Sequence, residues 1–176
     1  MNRNSLNLIG ESFETYLALK LKRYFPDAVI MHNVWANATF IDAQTQIDLL
    51  IITDKTFVVL EAKNWRKLIQ GNYNDSFWIM GSGGVTKPDR YSPLRQNMMH
   101  IRSLRNCMRV RGLEPVLAHN LIVVPNETKI NSNCTEVIHE ISLIDKIKSF
   151  EKTSPFTIDK HEYRTVIQQI SDYYRR

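Results

Sequence analysis

The sequence predicts an α/β fold in which a mixed sheet is covered by helices on both faces. Three observations carry that expectation: helical periodicity at both ends and once in the middle of the chain, two adjacent apolar β-branched runs near its centre, and further strand-like runs after the middle helix. At 176 residues the chain is long enough to bury a sizeable core, and it reads as a single domain over residues 1–176.

Leu6, Ile9, Phe13, Leu17 and Leu21 recur at helical spacing before Pro26, which predicts a helix over Leu6 to Phe25. Val29 to Trp35 reads as a strand, and residues 36–45 as a polar connection. Ile47 to Thr53 and Phe57 to Lys63 are then two strands rich in Ile, Val and Leu. Shorter strands are expected at Leu68–Tyr73, Phe77–Met80 and Val85–Lys87, with Gly81-Ser82-Gly83-Gly84 linking the last two. Ser92 can cap a helix that has Pro93 in its first turn and Gly112 just past its end. Val116 to Val124 and Glu136 to Ile141 read as strands, and Asp159-Lys160-His161-Glu162 resembles a capping box opening a final helix to Tyr174. The chain shows no repeat, low-complexity stretch or linker.

Hydrophobic residues at 43% and charged residues at 23% suit a globular protein. No apolar run approaches the roughly 20 residues needed to cross a bilayer, so no membrane partner is expected. The first ten residues lack the apolar core of a signal peptide. Cys107 and Cys134 form no Cys-x-x-Cys pair, which argues against a disulfide framework or zinc site and for the cytoplasm. A net charge of +5 is compatible with a polyanionic partner such as nucleic acid.

The chemistry concentrates in Gln46 to Trp65. Read as a hairpin, this segment has either a two-residue loop at Asp54-Lys55 or a four-residue loop from Thr53 to Thr56, and both put Asp48 opposite Glu61. Alternation then gathers Asp48, Glu61 and Lys63 on one face with Leu50, Ile52, Phe57 and Val59, and puts Ile47, Leu49, Ile51, Val58, Leu60 and Ala62 on the other. Two opposed carboxylates repel one another, and a divalent cation resolves that conflict. Asp48 and Glu61 are therefore candidate metal ligands, with a backbone carbonyl near Ala62 as a further oxygen donor. Lys63 could orient an attacking water or stabilise charge on a phosphate. As a bare pattern, Asp…Glu-x-Lys is also compatible with a strand-end acid beside a surface ion pair.

Gly10-Glu11, Gln46-Ile47-Asp48, Glu61-Ala62-Lys63-Asn64-Trp65 and Pro93-Leu94-Arg95-Gln96 resemble successive motifs of the nuclease-related domain (NERD) family, within the PD-(D/E)XK nuclease superfamily. The resemblance covers a core at about residues 8–125, leaving a C-terminal strand-helix extension. It implies a restriction-endonuclease-like sheet and Mg²⁺-dependent hydrolysis of DNA phosphodiesters, with Mn²⁺ able to substitute. It makes Asp48 and Glu61 metal ligands and Lys63 the water-orienting group, and adds Glu11 near the metal and Gln96 on the middle helix as catalytic residues. The chain departs from the family pattern at Leu49, where His is frequent, at the Lys55-Thr56 turn, where Gly is usual, and at Ser92, where Asn commonly precedes the proline.

Glu11 also has a local role open to it, as a charge near a helix N-terminus. By helical geometry Gln96 lies away from the Leu94–Met98–Ile101–Met108 stripe, a position equally suited to a solvated side chain. Arg95, Arg102, Arg105 and Arg109 form a stripe within about 80° on the same helix, suited to DNA phosphates or to plain solvation. Trp65 and Trp78 fit core packing better than base stacking, and the five histidines lack metal-ligand spacing, although His100 lies one turn beyond Gln96. A nucleic-acid-binding module without turnover, or an interaction module forming a homodimer or holding a protein partner, would use the same fold.

Overall fold

A computed structural model describes residues 3–38, 43–81, 88 and 90–175, with the backbone alone at residues 3–12, 38 and 43. The expected strand at Val85–Lys87 and the glycine-bearing connection before it lie outside the described residues, apart from Gly81. The order is α1 (Arg3–Tyr24), β1 (Val29–Ala38), β2 (Ala43–Ile52), β3 (Phe57–Ala62), β4 (Leu68–Gln70), β5 (Phe77–Gly81), β6 (Arg90–Tyr91), α2 (Pro93–Val110), β7 (Ala118–Val124), β8 (Lys129–Asn131), β9 (Val137–His139), α3 (Leu143–Thr153) and α4 (Lys160–Tyr174).

The central sheet has the order β1-β2-β3-β7-β9. Its first three strands are antiparallel, and β7 and β9 add in parallel, giving the expected mixed sheet. One face packs Leu104 and Met108 of α2 and Tyr163, Ile167 and Ile170 of α4 over Leu50, Ile52, Phe57 and Val59. The other packs Phe13, Leu17 and Leu21 of α1 and Leu143 and Ile147 of α3 over Leu49, Ile51, Val58 and Leu60. Helices therefore cover both faces, and the two central strands are apolar on both sides for that reason. A second sheet, β6-β5-β4-β8, leans on the N-terminal end of α2 through Ile69, Trp78, Met80 and Leu94.

Several local expectations hold. The β2–β3 register pairs Leu49 with Leu60 and Ile52 with Phe57, and residues 53–56 form the loop between them. The Thr53 hydroxyl accepts from the amides of Lys55 and Thr56, which stabilises a turn lacking glycine. Ser92 caps α2 by accepting from the Arg95 amide, Gly112 takes φ +78° after its end, and Asp159 caps α4 by accepting from the amides of His161 and Glu162. Cys107 and Cys134 are free and buried. Among the described residues no helix is long and apolar enough to cross a membrane.

Others are corrected. Residues 36–38 and 43–45, read as polar connection, extend β1 and β2; the antiparallel ladder continues through them, with Asn37 opposite Gln44. β6, β8 and α3 are additional: β6 and β8 span two and three residues, too short for a period, and α3 follows β9 through a single 3₁₀ turn with no glycine or proline to announce it. Ile47 packs with Leu50 and Ile52 rather than on the opposite face. The β1–β2 ladder passes from His32–Leu49 to Val34–Ile47, skipping Asn33 and Asp48, and Asn33 has φ +54°. Asn tolerates this left-handed backbone better than most residues, and the irregularity reverses the alternation of both strands. Met31, Val34 and Ala36 consequently share one core despite their uneven spacing.

Gly71 sits where any Cβ would overlap the fully buried Trp78 ring. Gly71→Ala should lower stability by about 1–3 kcal/mol, measured by urea unfolding, because the indole has no free volume to move into.

Candidate active site

Three groups that alternation along the sequence predicts on one face, Asp48 of β2 with Glu61 and Lys63, meet at the end of β3. Glu61 projects from β3 toward α2 and is only 1% exposed. Lys63, two residues on, makes an ion pair with Glu61 Oε1. Asp48, at the skipped position of β2, accepts a hydrogen bond from the Ala62 amide on Oδ2 at 2.9 Å. The carboxylate thus takes the place of a main-chain acceptor just where regular pairing of β2 with β3 ends.

The electrostatics separate the two acids. Burial, then the charges of Glu61 and Glu14, push the Asp48 carboxyl up from 3.8 to about 8, against the opposing pull of the Ala62 amide and Lys63. Burial also acts to raise Glu61, but the His100 hydrogen bond and the Lys63 charge outweigh it and hold this carboxyl below its usual range. Burial works to lower Lys63, and the attraction of Glu61, Asp48 and Glu14 raises it overall. Glu61 and Lys63 are a charged pair, while Asp48 keeps a proton near neutrality.

α2 supplies the far wall. Its residue His100, 4% exposed, has Nε2 3.3 Å from Glu61 Oε2 and Nδ1 2.7 Å from Thr45 Oγ1. The arrangement fits an Nε2–H donating to Glu61 while Nδ1 accepts from the Thr45 hydroxyl. Gln96 reaches the site at one remove, with Nε2 3.4 Å from His100 Nε2. Asn97 fixes the helix height: its amide nitrogen is 2.9 Å from Val59 O and 2.7 Å from Asn120 Oδ1, and Asn120 donates back to Leu94 O.

Of the residues expected from sequence, Asp48, Glu61, Lys63 and Ala62 are therefore adjacent, and Gln96 touches their neighbour. The Glu11 side chain is outside the described residues; Glu14, one turn along α1, is near enough to act on both Asp48 and Lys63. Glu14 and Thr45 are neighbours that motif reading missed, and His100 stood out there only for lying one turn beyond Gln96. The one-turn spacings from Glu11 to Glu14 and from Gln96 to His100 were the available signals. The arginines lie elsewhere. Arg95 donates to Asn74 O, Arg109 pairs with Glu114, and Arg102 and Arg105 occupy the flank of α2 turned away from Glu61. Trp78 is buried, and Trp65 packs beside the same cluster with the Arg90 guanidinium 5.9 Å from its ring.

The nuclease-related domain family matches residues 9–125, more than half of the chain. The chain belongs to that family. No curated protein and no solved structure gave a significant match. All the site residues described above fall inside the nuclease-related segment, whereas α3 and α4 follow it and complete the two cores.

Asp48 gives the site a pH signature. Between about 3.8 and 8 the folded protein holds a proton that the unfolded chain releases, so stability falls as pH rises through that window and the loss is complete above it. Asp48→Asn cannot ionise. In EDTA its melting temperature should exceed the wild-type value at about pH 9 and lose that advantage at about pH 4, as read by thermal unfolding at both values.

Proposed function

We propose that this nuclease-related chain is a metal-dependent nuclease that hydrolyses DNA phosphodiester bonds, with Mg²⁺ as its resident cation and Mn²⁺ able to replace it. The observation that carries the reading is the charge imbalance at the end of β3, where Asp48, Glu61 and the nearby Glu14 face Lys63 as the principal opposing charge. A carboxyl displaced to about 8 by burial and neighbouring acids is a group that a divalent cation would return to its ionised form.

Asp48 and Glu61 would hold the cation. Ala62 fits as a third donor: within a strand the N–H and C=O of one residue point the same way, so its carbonyl turns toward Asp48 as its amide does. Two carboxylates, a main-chain oxygen and water would make up the donor set that the described residues offer. Oxygen donors with several retained waters suit Mg²⁺. When bound, the cation supplies water activation and Lewis-acid stabilisation of the phosphate. His100 and Thr45 fix the rotamer of Glu61. Lys63, on the Glu61 carboxylate and 20% exposed, can present its ammonium to a water or a phosphate oxygen. The net charge of +5 favours a polyanionic substrate, and contacts to the sugar-phosphate backbone would give affinity without sequence readout.

The test is cleavage of linear, circular and single-stranded DNA with Mg²⁺, Mn²⁺ or EDTA. Asp48→Ala, Glu61→Ala and Lys63→Ala should each reduce turnover by about 10²–10³-fold while remaining folded. Unchanged cleavage by all three would assign the activity to another source and reject the reading. In calorimetry, Mg²⁺ affinity should rise with pH up to about 8, because Asp48 must shed its proton to become a ligand. A flat profile would remove Asp48 from the donor set.

A further inference from the structure

β9 pairs with Ile122–Val124, so among the described residues the first half of β7 has β3 on one side and no strand on the other. Over this open edge, between α2 and α3, lies a cavity of about 550 Å³, within the size range of small-molecule sites. It is separate from the active site. At about 100° per residue, Gln96 and His100 lie on one flank of α2, whereas Met98, Arg102 and Arg105 lie on the opposite one.

The cavity is charged for an anion. Arg102 and Arg105 line it from α2 and Lys146 from α3, the Lys146 ammonium 5.4 Å from the Phe150 ring, and none of the three forms an ion pair among the described residues. The Nε of Arg105 is buried without a hydrogen-bond partner, which is costly for a cationic donor unless something supplies an acceptor. The acid in the lining, Glu136, is engaged by the Tyr73 hydroxyl at 2.6 Å. The remaining wall suits a flat, largely apolar body: the His119 and Phe150 rings lie parallel at 3.7 Å, and Met98, Ile101 and Leu117 contribute apolar surface. A neutral apolar ligand would leave the cations unmatched, and a bare inorganic anion would leave the apolar wall wet.

We propose that this cavity binds a nucleoside phosphomonoester, its phosphate held by Arg102, Arg105 and Lys146 and its base against the apolar wall. The same chemistry is offered by a free mononucleotide and by the phosphorylated end of a DNA strand, so both are probes. The site does not depend on the nuclease reading, because binding is measured without metal or turnover.

The experiment is calorimetry of the full chain in EDTA with dAMP, deoxyadenosine, inorganic phosphate and a 5′-phosphorylated trinucleotide. dAMP should bind, with deoxyadenosine and phosphate at least about tenfold weaker. Arg102→Met with Arg105→Met should weaken dAMP by about tenfold or more. Lys146→Gln, on the other helix, should weaken it in the same direction, so the result does not rest on one variant staying folded. Asp48→Asn should bind dAMP as the wild type does. A trinucleotide that binds as tightly as dAMP assigns the site to strand ends, and one that binds more weakly assigns it to free nucleotides. The proposal is overturned by no dAMP binding up to about 10 mM, by equal affinity for inorganic phosphate, or by binding lost in Asp48→Asn and kept in the arginine variants.

Discussion

An ionised carboxylate buried at the end of β3 is the constraint around which this structure is arranged. Taking Glu61 out of water costs several kcal/mol unless its oxygens are matched by positive charge and hydrogen bonds. Lys63 meets one oxygen from the same strand face, and His100 meets the other from α2. The second contact depends on where α2 sits. Ser92 and Pro93 set the start of the helix, and Asn97 anchors it to the carbonyl of Val59, two residues before Glu61. A shift of one residue in the helix start would turn His100 by about 100° and leave Glu61 short of a partner. Capping, helix seating and the state of one carboxylate are linked in this way.

The paired irregularity at Asn33 and Asp48 has a complementary role. A regular β2 would commit Asp48 fully to one face of the sheet. The skipped pair instead leaves its carboxylate free to reach the Ala62 amide, within the field of Glu14 from α1 as well as of Glu61. The site therefore straddles the end of the sheet, with α1 on one side and α2 on the other. The irregularity is itself held from outside: Gln46 donates to the Asn33 side chain, Arg175 donates to its carbonyl, and Ser171 of α4 accepts from the Trp35 amide. The C-terminal helix thereby supports the geometry of Asp48, although it follows the nuclease-related segment.

How much of this was legible depended on whether the signal was local. The β2–β3 register could be read because two apolar runs flank a short loop, and a slip of one residue would move every side chain to the other face. That register brought Asp48, Glu61 and Lys63 to one end of the hairpin. The reversal at Asn33 was not legible, since it arises from a left-handed residue in a sequence that otherwise alternates acceptably. His100 and Glu14 were hidden for a different reason. Their importance comes from which helix flank meets the end of the sheet, a tertiary relation that helical periodicity leaves open. The arginine stripe shows the converse, because residues close on a helical wheel separate once Arg95 bonds to Asn74 and Arg109 to Glu114.

α2 also divides the molecule electrostatically. One flank faces the acidic end of β3, and the other carries Arg102 and Arg105 beside Lys146. A phosphate approaching the acidic flank alone meets Glu61 and Glu14 with Lys63 as the main counter-charge, which is repulsive overall at neutral pH even with Asp48 protonated. On the nuclease reading, a cation and the phosphate must therefore enter the site as linked events, because a divalent charge is needed to offset the carboxylates, Asp48 included once it has shed its proton. The basic flank carries no such requirement. Two phosphate-directed surfaces on one helix would then differ in metal dependence, and the long-range attraction of the net charge would act on both without distinguishing them.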